Sequence, residues 1–148
     1  MRSTEVNDRT LGEFRGLSRF DIIDGMPVSV RFEDTGTFVL DATGIVTFAE
    51  VSAAFAEILA DPRLVKNTTI LAVNRSSVTT APSYSELRAL VEELKPVLAR
   101  SSGTMVIAAE SLFIYGVVRM FATLAELVGI GVQIFRTEDD ARAWIRAR

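Results

Sequence analysis

The sequence predicts an α/β fold built on a five-stranded mixed sheet, in the order β-β-α-β-α-β-α-β-α. Three observations carry this. Two runs of alternating β-branched or aromatic residues flank "DTG", which reads as a hairpin. Three later apolar runs are separated by amphipathic segments long enough for helical crossovers, which implies parallel pairing. Hydrophobic residues make up 49% of the 148 and charged residues 24%, a composition that buries a core in one domain.

Residues 1–25 carry mixed charge and one helical pattern, Leu11, Phe14 and Leu17 behind a Thr10 to Glu13 capping box. They predict a short amphipathic helix or a mobile arm ahead of a domain spanning 26–148. "PVSVRFE" and "TFVLDATG" are the hairpin strands. Thr47 and Glu50 frame a capping box for "FAEVSAAFAEILA", whose Phe48, Val51, Phe55, Ile58 and Leu59 form one apolar face. Pro62 biases Asp61 away from helical angles and ends that helix.

"TTILAVN" reads as a buried strand. "LRALVEELKPVLA" is the next helix, with Leu87, Leu90, Val91, Leu94 and Leu98 inward and a kink expected at Pro96. "GTMVIAAE" is a further strand. The segment after it, "SLFIYGVVRMFATLAELVGI", is apolar enough to be checked for membrane insertion. At 100° per residue Tyr115, Arg119, Thr123 and Glu126 form a polar stripe, with Val117, Phe121, Leu124 and Val128 opposite. A lipid-spanning helix has little use for a continuous polar stripe, so no membrane span is expected. "GVQIFR" is the last strand. Thr137 caps "EDDARAWIRAR", whose acids lie early and arginines late, as the helix dipole favours.

There is no Cys and no His. That removes disulfides, thiol and imidazole metal ligands, and every Ser-His or Cys-His catalytic set. No dense acidic loop suggests Mg²⁺ or Ca²⁺, so no cofactor or metal is expected. A net charge of −3 without a basic run argues against a nucleic-acid partner. The opening "MRSTEVNDRT" lacks an apolar signal core, which reads as cytoplasmic.

The stretch "NRSSVTTAPSYSE", between a strand and a helix, concentrates hydroxyls. Ser83 and Glu86 form a capping box, which accounts for Ser83. Ser76, Ser77, Thr79 and Thr80 have no capping duty. They read either as a plain polar loop or as a contact surface, since open α/β sheets bind ligands at the carboxyl ends of strands. Arg75 near a helix N-terminus could hold an anion there. Arg119 is either solvated or lines a shallow cleft with Tyr115 beside that loop.

The layout, with "TGIVTFAEV", "YGVVRMFATLAE" and "VQIFRTEDDARAWI", resembles the STAS-like family of bacterial anti-sigma-factor antagonists. More narrowly it resembles the sporulation-antagonist-like branch, similar in fold to CRAL-TRIO lipid-binding domains. The resemblance covers roughly 26–146. It implies a non-enzymatic, regulatory protein-binding module, switched in the antagonists by phosphorylation of a Ser after a central strand. That position falls at Ser76 and Ser77, where Asn74 and Arg75 replace the family's acid and no Gly follows. Phosphate there is expected to be tolerated by the fold and to act on a partner.

The alternative is a carrier of a small apolar or lipid ligand, although the helices look well supplied with core-filling side chains. A carboxylate-based enzyme would need paired acids, and none can be placed in one cleft. High hydropathy and the N-terminal arm predict that a second copy covers apolar surface, giving a homodimer.

Overall fold

The computed structural model describes residues 27–76 and 82–148. The arm expected at 1–25 lies outside the described residues, as do Ser77, Thr79 and Thr80. The strands are β1 (Val28–Glu33), β2 (Thr37–Gly44), β3 (Thr69–Ser76), β4 (Thr104–Ala109) and β5 (Gly131–Phe135). The helices are α1 (Phe48–Ala60), α2 (Tyr84–Ala99), α3 (Leu112–Leu127) and α4 (Glu138–Arg146). One sheet holds all five strands in sequence order, β1 antiparallel to β2 and the others parallel. The predicted fold class and element order are those of the structure.

The hairpin forms because Gly36 turns with φ 90°, a conformation that disfavours a side chain, and donates its N–H to Glu33 O at 2.9 Å. Alternation then sets Phe32 opposite Phe38, their rings edge-on at 4.8 Å.

Each later strand is added on the same side of the one before it. Right-handed crossovers then place all three connecting helices on one face of the sheet. This is the arrangement found: α1, α2 and α3 share one core with Phe38, Leu40, Ile70 and Ile107. The opposite face, Val39, Leu71, Val73, Val106 and Ala108, packs against α4 through Ala141, Trp144 and Ile145. With no reversal of strand order, the sheet has no topological switch point.

Of the three predicted capping boxes, the two within the described residues are complete. Thr47 Oγ1 accepts from Glu50 N, and Glu50 Oε1 accepts from Thr47 N at 2.8 Å. Ser83 and Glu86 do the same for α2. Each such cap contributes about 1 kcal/mol. All five apolar residues expected inward on α2 are buried. Pro96 does not end that helix, which runs on to Ala99. It removes one N–H from the ladder, within a turn of a C-terminus that Val97 and Leu98 hold in the core.

Two differences from the sequence reading matter for function. β3 runs past Asn74 to Ser76, because its parallel ladder with β2 continues to the pairs Thr43 with Arg75 and Gly44 with Ser76. Arg75 and Ser76 are therefore strand residues, and alternation sends them to opposite faces. On α3 the buried stripe is Ile114, Val118, Phe121 and Ala125, while Val128 is exposed.

Candidate functional site

The layers of side chains on the three-helix face shrink toward the carboxyl ends of the strands. At one level the sheet presents Phe38, Ile70 and Met105. Two residues on it presents Leu40, Ala72 and Ile107, and then Ala42, Asn74 and Ala109. The helices cannot follow this taper, because α1, α2 and α3 are straight rods that also pack on each other. A cavity of about 380 Å³ is left between them and the sheet. Ala72 and Ile107 form its floor, and Phe48, Phe55, Leu90, Val118 and Phe121 its walls. It lies at the strand ends where three helices begin.

Four polar side chains reach its rim: Thr47, Asn74, Ser76 and Glu86. Thr47 and Glu86 are committed to their capping boxes. Asn74 Oδ1 accepts from the Ser76 backbone N–H at 3.0 Å and from Ser76 Oγ–H at 2.6 Å. These bonds fix which end of the amide is oxygen. Asn74 Nδ2 donates to none of the described residues.

Ser76 is 6% exposed. Its hydroxyl is thus a buried donor facing the cavity. Arg75, on the other face, already holds an anion. Its Nη2 lies 2.6 Å from Oε1 of Glu138, the first residue of α4, and its Nε lies 3.3 Å from Glu110. Asp41 is 3.6 Å away.

The arrangement extends into a network across that face. Arg142 donates to Glu138 at 2.7 Å and to both carboxylate oxygens of Glu33 at 2.9 and 3.0 Å. Arg31 reaches Asp41 and Glu33. The Arg142 hydrogen bond holds the Glu138 carboxyl below the usual carboxylate range against the opposing effect of burial, with Arg75 adding to it. Arg142 lowers Glu33 in the same way. The anion that a helix N-terminus and Arg75 could attract is supplied by the chain itself.

Tyr115 is half-buried, with the Arg136 guanidinium 5.1 Å above its ring. Arg119 is exposed. Neither lines the cavity that Ser76 lines, so the candidate residues divide among three places: Arg75 in the ion network, Ser76 at the cavity, and Tyr115 and Arg119 on outer parts of α3.

No protein-family model matches this chain, and no curated protein matches it in sequence.

The chemistry available here is recognition by shape and by a few hydrogen bonds. Among the described residues no group of three acids is placed to hold a metal, and no helix is long and apolar enough to cross a membrane. A second surface feature is the outer side of α3. Phe113, Val117, Met120, Leu124 and Leu127 recur at alternating four- and three-residue steps, the spacing of a helix-pairing seam, with Val117 and Leu124 half-buried against the core. Phe113, Met120 and Leu127 are 49%, 52% and 76% exposed. Sequence reasoning missed the cavity, whose signal was the pair of small residues Ala42 and Ala72 within otherwise bulky strands.

Proposed function

We propose that this chain is a non-enzymatic binding protein for a small apolar ligand, held between the sheet and α1, α2 and α3. One observation carries the reading, the cavity of about 380 Å³ walled by Phe, Leu and Val with few polar groups at its rim. Its size falls in the usual range for small-molecule sites. It has room for roughly a dozen non-hydrogen atoms at about 30 Å³ each. The lack of His and Cys in the chain and the commitment of Glu86 to a cap support binding without catalysis. The test uses hexylbenzene as an uncharged probe of matching size. Saturating probe, at about ten times Kd, should stabilise the protein against urea by about 1.4 kcal/mol, with one site by calorimetry. Neither stabilisation nor heat of binding up to the probe's solubility would end this reading.

A second reading is the regulatory protein-binding module implied by the STAS-like resemblance. The α3 stripe favours it, and we take its occupant to be a second copy of this chain. With Leu112 and Val128 the stripe leaves on the order of 500 Å² of apolar side chain in water, at roughly 200 Å² per large residue fully exposed. That is at the upper end for a monomer and near the core of a standard interface. In an antiparallel pairing centred on Met120, Gly116 faces Leu124 of the other copy, a small residue against a large one. The self-complementary spacing suits a two-fold contact.

A further inference from the structure

The polar rim of the cavity is unbalanced in a way that specifies the ligand's polar end. Strand alternation points the Asn74 side chain to the three-helix face, since Ala72 and Ile70 before it pack there. Its oxygen is saturated by the two bonds from Ser76, and among the described residues its two N–H donors have no partner and are placed at the cavity. Of the other rim groups, Thr47 Oγ1 is held by Glu50 and one Glu86 carboxylate oxygen by Ser83. A ligand acceptor is what the Asn74 donors are equipped to meet.

Charge narrows the choice further. Among the described residues the one charged residue lining the cavity is Glu86, and no described cation lines it. Arg75, next to Asn74 in sequence, points to the opposite face and is bound by Glu138, Glu110 and Asp41. An anionic head group would meet the Glu86 carboxylate with no countercharge among the described lining residues. We propose that the cavity takes an apolar molecule ending in an uncharged carbonyl, such as a ketone, ester or amide, whose oxygen accepts a hydrogen bond from Asn74 Nδ2. This rests on the apolar-ligand reading and names the class of ligand within it.

The experiment compares three probes on the wild-type protein: hexylbenzene, hexanophenone and decanoate. Hexanophenone should bind about tenfold more tightly than hexylbenzene, the worth of one net hydrogen bond, and decanoate more weakly than either. In ¹⁵N-edited NMR the Asn74 side-chain NH₂ should shift with hexanophenone and stay in place with hexylbenzene. Asn74→Asp keeps an acceptor for both Ser76 donors but lacks the NH₂. It should bring hexanophenone down to the affinity of hexylbenzene. Equal affinities in the wild type, an unmoved NH₂ signal or a preference for decanoate would overturn the proposal while leaving the apolar cavity intact. Failure of all three probes to bind would remove the cavity reading itself.

Discussion

Ala72→Ile tests whether the space above β3 is open, because the sign of the stability change depends on it. Ala72 is 7% exposed on the floor of the cavity, in a central strand where a β-branched residue is favoured. The isoleucine adds carbons occupying about 90 Å³, roughly a quarter of the cavity, at about 30 Å³ per atom. Burying them at ~0.8 kcal/mol per methylene contributes about 2 kcal/mol. Fixing the longer side chain offsets roughly 0.5–1 kcal/mol of that. Urea denaturation should therefore show the variant more stable by about 1–2 kcal/mol with an unchanged m-value. Hexylbenzene titration should show affinity at least about tenfold lower, since the space is taken. Were the core already full, the same change would cost about 1–3 kcal/mol through overpacking. A destabilised variant with unaltered probe binding would refute the reasoning.

Acid should weaken the protein through the network on the opposite face. Glu33 and Glu138 both have carboxyls lowered from 4.5 in the folded state, chiefly by Arg142. Their contribution is full above that ordinary value and is lost as pH falls through it toward the depressed folded values. The urea midpoint should drop below about pH 4.5, and Arg142→Met should be less stable at neutral pH with a shallower drop; parallel curves for the two proteins would contradict the assignment. For the α3 seam, light scattering should give twice the 16.2 kDa monomer for the wild type. Met120→Glu with Leu127→Glu should give the monomer at nearly the same stability, because both sites are already exposed. A wild-type monomer, or a dimer that survives both charges, would remove the seam as the contact.

Local chemistry was legible in the sequence where it is complete within a few residues. The Thr47 and Ser83 boxes, the Gly36 turn and the inward face of α2 each rest on neighbours in the chain. The end of β3 was not, because Arg75 and Ser76 are strand only by pairing with Thr43 and Gly44. The orientation of α3 was ambiguous for a related reason. It is apolar on two sides, and periodicity alone cannot say whether Ile114 or Phe113 meets the sheet. The partner of Arg75 lies 63 residues away in Glu138, beyond any local rule. The cavity runs against composition: Phe, Leu and Val count as filling until the taper from Phe38 to Ala42 is seen in register with β3.

Placing three helices on one side of the sheet has a consequence for how the chain emerges during synthesis. The face of α1, α2 and α3 can close in order, each helix docking on strands already made. The other face has among the described residues a single cover, α4, which follows all five strands in the sequence. Until Glu138–Arg146 leaves the ribosome, Val39, Leu71 and Val106 lack their one described cover, and Glu33 waits for Arg142 across 109 residues. A nascent chain stopped before α4 presents a flat apolar sheet surface, the kind that chaperones hold and that aggregates seed upon.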